Sequence, residues 1–229
     1  MTILEVDGLR KSYRAPDGTT SVVVDIESFR MEEGAQLALQ GSSGSGKTTF
    51  LNLIAGILQA DSGTIRVGGK EMTALSESGR DRLRAEQLGY VFQTFNLLQG
   101  YTALENVALG MMFGRGADYG YARALLARVG LGDRVNYRPR QLSVGQQQRV
   151  AVARALANHP RLVLADEPTG NLDRARALES LALIRDVCRE NGAALLLVSH
   201  DEEILGRFDN VQHLAAINRA AAPLEAGAR

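Results

Sequence analysis

GSSGSGKTT, residues 41–49, fits the pattern G-x-x-x-x-G-K-[ST] in full. The residues on either side decide how it is read. Leu37–Gln40 before it has the look of a short β-strand, and KTTFLNLIAGIL after it carries Phe50, Leu53, Ile54 and Ile57 at helical spacing. Strand, glycine-rich loop and helix together predict a phosphate cradle. Gly41, Gly44 and Gly46 let the backbone curl so that successive N–H groups point inward, with Ser42, Ser43, Ser45 and Thr49 completing the loop. The start of the helix adds its partial positive charge. Lys47 would bring an ammonium to the β- and γ-phosphates, and Thr48 a hydroxyl ligand to Mg²⁺.

Working outward, β-like runs recur at Ile3–Val6, Val22–Ile26, Leu37–Gln40, Thr64–Val67, Tyr90–Phe92, Leu162–Ala165 and Ala194–Ser199. The last two are continuously apolar, as central parallel strands covered on both faces should be. The strands before Leu37 alternate more and predict an antiparallel side sheet. From about Tyr101 to Pro160 strand signals vanish, and ALENVALGMM, YARALLARVGL and QQQRVAVARALANH all read as helices. Strands resume afterwards, so one α/β domain spans residues 1–229, with a helical subdomain at about 95–158 inserted in its core.

Composition narrows the function. The 229 residues are 45% apolar and 23% charged, as expected of a globular chain rather than a disordered one. Lys plus Arg and Asp plus Glu balance at 26 each, which argues against a nucleic-acid partner. The basic residues are nearly all Arg, read either as phosphate forks or, more simply, as codon bias. The single Cys, Cys188, excludes an intrachain disulfide, fits a reducing compartment and reads as a small helical core residue. Neither a signal peptide nor a run of roughly 20 apolar residues able to cross a bilayer is visible. The Ala-rich tail from Ala220 reads as a helix end or a loose terminus.

Other residues take up chemistry around the loop. Asp166 and Glu167 follow the apolar strand LVLA, where adjacent carboxylates are costly unless a cation or ligand uses them. Asp166 would hold Mg²⁺ through water, and Glu167 would polarise the attacking water as general base. His200 ends the strand of LLLVSHD and can donate to a γ-phosphate oxygen, although a lone His there can also be structural. Gln93, in YVFQTFNLLQ, could reach Mg²⁺ or the attacking water, or be a surface residue after an edge strand. Tyr13, in KSYRAPDG, could stack on a purine or sit half-buried at a strand end.

The order Tyr13, GSSGSGKTT, Gln93, LSVGQ, ADEPTGNLD and His200 resembles the nucleotide-binding subunit of an ATP-binding cassette (ABC) transporter, over about Ile3 to Leu205. The resemblance implies a P-loop NTPase fold: a RecA-like core with a mostly parallel sheet, an antiparallel side sheet and a helical subdomain. It also implies two copies paired head to tail around two ATP molecules, with Mg²⁺. Ser143 and Gly145 would contact the γ-phosphate held by the other copy, using a hydroxyl, an N–H and a helix N-terminus instead of charge. Gln146 would support that loop, and Asp173 would lie near the same interface. Val144 departs from the family's usual Gly; being β-branched, it predicts a β- or helix-compatible backbone there.

SESGRDRLRAEQLGYVFQ and QTFNLLQGYTALENVALGMM resemble the lipoprotein-releasing and macrolide-exporting group within that family. The expectation is a cytoplasmic ATPase, peripheral on the inner face of the membrane through an integral permease. Phe95, Leu97, Leu98 and Tyr101 would line a groove near Gln93–Tyr101 that takes the permease's cytoplasmic coupling helix, with burial in the domain's own core the other reading, above all of Leu97 and Leu98. VNYRPRQLS lacks the T-x-V-G-E-x-G run of fused exporters, and the segment after His200 lacks the family's Gly-containing hairpin. An ATP-gated regulator of a membrane complex, as in cell division, is the alternative function. A soluble ABC ATPase of DNA repair or translation would carry a coiled-coil arm, Cys clusters or a second cassette, and these are not seen.

Overall fold

The computed structural model describes residues 1–221. Thr2–Arg14 (β1) and Thr20–Glu32 (β2) form a long antiparallel pair. Gln36–Gln40 (β3) runs through the glycine loop into the helix Lys47–Ile54 (α1). Ser62–Val67 (β4), Lys70–Glu71 (β5), Glu77–Gln87 (α2) and Leu88–Val91 (β6) follow. The strand-free stretch contains Ala103–Leu109 (α3), Tyr119–Arg128 (α4), a 3-10 turn at Pro139–Gln141 and Val144–Leu156 (α5). Leu162–Asp166 (β7), Arg174–Glu190 (α6), Ala194–Ser199 (β8), Glu202–Leu205 (α7), Val211–His213 (β9) and Leu214–Ile217 (α8) complete the order.

Two sheets result. An antiparallel sheet has the order β2-β1-β4-β5, and a parallel one the order β6-β7-β8-β3-β9. Every residue of β7 and β8 is buried, which is why their sequences are apolar without alternation. Successive side chains still point to opposite faces. Val163, Ala165, Leu195 and Leu197 join a core with the helical subdomain and α6, while Leu162, Leu164, Leu196 and Val198 join one with α1 and the antiparallel sheet. Each fully buried Leu or Val contributes about 1.5–3 kcal/mol, so the parallel sheet is a rigid floor. Its register sets the site: Gln40 pairs with Ser199, and Asp166 with Val198. The C-terminal ends of β3, β7 and β8 therefore arrive together, where ligands bind in open α/β sheets.

Several expectations need correction. The helix after the glycine loop ends at Ile54, and Ile57 lies beyond it, 48% exposed after the left-handed Gly56. Phe95 and Leu97 are buried in the core shared with the helical subdomain, whereas Leu98 and Tyr101 are exposed. The polar helix α2, which buries only Leu83, gives no apolar period to read. After His200, where the sequence carries no Gly-containing hairpin, the chain forms α7, then β9 parallel to β3, then α8. Cys188 is a buried free thiol on α6, its pKa pushed up to about 12 by burial. Most of the expected tail lies outside the described residues.

Candidate active site

The glycine loop begins where β3 stops and is pinned there by Gly41 N–H donating to Ser199 O. Gly46, immediately before α1, has φ 95°, and a Cβ on it would sit 2.8 Å from Val23 O. Only glycine satisfies both conditions. Lys47 then enters a buried position, donating from Nζ to Gly41 O at 2.6 Å and Ser42 O at 2.9 Å, with Glu167 Oε1 3.5 Å away. The ammonium is thus aimed across the loop, held by weak acceptors that a phosphate can replace.

Glu167 follows β7 in the left-handed region, φ 43°. A non-glycine residue there costs of order 1–3 kcal/mol and persists only when its surroundings impose it. Here the surroundings are explicit: Glu167 N–H donates to Val198 O, Gly170 N–H to Glu167 O, and Ser199 Oγ to Oε2 at 3.1 Å. His200 Nδ1 lies 2.7 Å from Oε1. The carboxylate is fixed between Lys47, Ser199 and His200. Ser199 and Asn171, whose Nδ2 donates to Gln93 O, were missed in the sequence. The one available signal for Ser199 was a hydroxyl closing an otherwise apolar strand.

Asp166 differs. Its Oδ1 is buried without a hydrogen-bond partner. Burial raises the Asp166 pKa and Glu167's charge adds to this, while the Thr48 hydroxyl and Lys47 oppose it. An orphaned carboxylate oxygen beside a hydroxyl is a donor set suited to a hard divalent cation. Among the described residues no group of three or more His, Cys, Asp and Glu is assembled.

A cavity of about 310 Å³ brings together Lys47, Thr48, Gln93, Glu167 and His200 with the glycine loop. It does not include Tyr13, which is 43% exposed on β1 opposite Ser21. Nor does it include any residue of α5. Ser143, Gly145 and Gln146 line a different cavity, against α6. Ser143 caps α5 reciprocally: its Oγ accepts from Gln146 N–H, and Gln146 Oε1 accepts from Ser143 N–H. The serine proton remains free to donate. A Cβ on Gly145 would touch nothing within 4 Å, so the glycine leaves the helix start open rather than serving internal packing. Asp173 caps α6, accepting from Arg176 N–H.

Val144 is the first residue of α5, 44% exposed and helical, so its β-branch meets no strain. Val144→Gly should lower Tm by only about 1–2 °C. A much larger fall, read by thermal unfolding, would show that the valine side chain has a contact of its own.

The family model described as ABC transporter matches residues 24–170. The lipoprotein-releasing system ATP-binding protein LolD of Shewanella oneidensis is 42% identical over 211 residues, covering 90% of this chain and 91% of the relative. LolD 1 of Caulobacter vibrioides is 44% identical over 209 residues, covering 90% and 89%. Two dimeric structures of the cassette MJ0796, one a post-hydrolysis state bound to ADP and Pi, superpose with TM-score 0.83 at 32% identity, covering 92% of this chain and 94% of that chain. Among the described residues no helix is long and apolar enough to cross a membrane. The chain belongs to the ABC transporter family, as an ATP-hydrolysing, nucleotide-binding subunit.

Proposed function

We propose that two copies of this chain pair head to tail, each phosphate loop being completed by Ser143 and Gly145 of the other copy, and that hydrolysis drives a permease engaged in lipoprotein release. One observation carries the pairing. Lys47, Thr48, Gln93, Glu167 and His200 share a cavity that contains no residue of α5, while the start of α5 is capped, uncharged and open. Such a helix start is an anion site without an anion of its own chain. The LolD names of the relatives support the permease's task.

Within each site Lys47 exchanges its loop carbonyls for the β- and γ-phosphates. Glu167 takes a proton from the attacking water, and Ser199 keeps its carboxylate aimed. His200 turns from Glu167 towards a γ-phosphate oxygen. Mg²⁺, held by Asp166, Thr48 and Gln93, would neutralise charge on the transferred phosphoryl group. Tyr13 stacks on the adenine, and Asp173 lies at the seam between copies.

The permease docks from the cytoplasmic side into a groove of about 350 Å³ between α2, β6, α3 and α5, whose Arg154 holds the Phe95 and Asn96 carbonyls of the Gln93–Tyr101 segment. Leu88, Leu109 and Phe113 supply its apolar lining, and Arg154 and the Asp81–Arg84 ion pair its charged groups. Phe113 is 80% exposed, a large apolar surface for a partner to cover.

Ser143→Arg tests the pairing. The variant should bind ATP as the parent chain does, because its own phosphate cavity is untouched, yet fail to dimerise with ATP and lose turnover. Normal ATP-dependent dimerisation by light scattering, with normal hydrolysis, would overturn the two-copy site.

A further inference from the structure

Helix α5 offers the nucleotide only its first turn, yet two side chains further along it grip the loops of its own chain's site. Gln148 is completely buried and donates from Nε2 to Pro168 O, the carbonyl next to Glu167. Its Oε1 has no partner, and a buried amide with one orphaned oxygen is a poor choice for packing alone. Arg154 donates from Nη2 to Phe95 O and from Nη1 to Asn96 O, both at 2.6 Å. Those carbonyls lie just past Gln93.

The gripped residues are the strained ones. Among the described residues four that are not glycine have positive φ: Phe95 at 43°, Asn96 at 50°, Glu167 at 43° and His159 at 53°. The first two are held directly by Arg154, the third through its neighbour Pro168, and His159 follows α5 itself. Strained backbone persists only where its surroundings over-determine it, and one helix contributes to that hold at Phe95, at Asn96 and, together with Val198 and Ser199, at the Glu167 turn. Arginine suits the task because its planar fork meets two carbonyls at once. A helix of 13 residues is stiff along its axis, so a displacement of Ser143 is passed on to both grips.

We propose that α5 is a lever, with Gln148 and Arg154 as positioning residues that transmit contact between Ser143 and the partner copy's nucleotide to the Glu167 turn and Gln93 loop of its own site. The inference rests on the head-to-tail pairing and adds which side chains of the chain carry contact at one site to the other. Arg154 also lines the groove, so permease docking bears on the same grip.

The test uses the full chain with Arg154→Lys, Arg154→Met and Gln148→Leu, each with and without Glu167→Gln. In the parent, rate against ATP concentration should give a Hill coefficient above one, bounded by its two sites. The variants should keep Tm and monomer affinity for a fluorescent ATP analogue within about two-fold, while kcat falls about ten-fold and the Hill coefficient drops to one. Arg154→Lys, unable to form the fork, should recover only part of the loss. A parent without cooperativity overturns the lever, as do variants that keep its kcat and Hill coefficient. So does a fall of Tm, affinity and kcat together, the mark of packing alone. If Glu167→Gln by itself does not dimerise with ATP, the pairing fails and the lever with it. If it dimerises and the variants stay cooperative, only the lever fails.

Discussion

Glu167→Gln will bind ATP and turn it over about 10²–10⁴ times more slowly than the parent chain, the span general bases supply. The amide is the same size as the carboxylate and can still accept from Ser199 Oγ, which donates to Glu167 at 3.1 Å. The strained turn should therefore survive. What disappears is the ability to take a proton. The charge beside Lys47 disappears too, at 3.5 Å in the parent, which frees the ammonium for phosphate. Loss of turnover with binding retained should accumulate a nucleotide-bound pair of chains, visible as a doubling of mass by light scattering at saturating ATP and Mg²⁺. Hydrolysis at the parent rate would remove Glu167 as the base and leave Ser199 and His200 orienting a group without that role.

Lys47→Ala should act one step earlier, on affinity. The ammonium is buried and already directed across the glycine loop. Removing one partner of a desolvated charge pair costs about 2–5 kcal/mol, roughly 30-fold to several-thousand-fold in Kd. Titration with a fluorescent nucleotide analogue should show that loss, with far-ultraviolet circular dichroism unchanged. Affinity within a few-fold of the parent would mean that the loop's N–H groups and the dipole of α1 do the holding unaided. The two variants separate the halves of the chemistry: Glu167→Gln traps the nucleotide, and Lys47→Ala never captures it.

Much of this was legible before any coordinates, for reasons that can be named. GSSGSGKTT encodes its own geometry, because the left-handed turn at Gly46 and the close approach of Val23 O admit only glycine. LVLAD and ALLLVS are apolar throughout because both faces of their sheet are covered. The illegible parts depend on partners far away in sequence. Ser199 matters because its hydroxyl meets Glu167, 32 residues earlier. Phe95 and Leu97 appear as surface candidates in a loop sequence, yet Arg154, 58 or 59 residues on, pulls that loop down onto the core. The helix α2 follows no apolar period, since one buried leucine defines no face.

The separation of Ser143 from its own chain's phosphate cavity has a genetic consequence. A chain with a damaged α5 start but a sound glycine loop is not silent when made beside the normal one. On the proposed pairing it fails to pair with its own kind. Yet it can still join a normal chain through the site made of its own glycine loop and the normal chain's Ser143, and so leaves its sound neighbour's nucleotide uncompleted. Alleles that alter Ser143 should therefore be dominant over a normal copy. Alleles that merely stop the chain from folding should be recessive, because such chains never enter a pair.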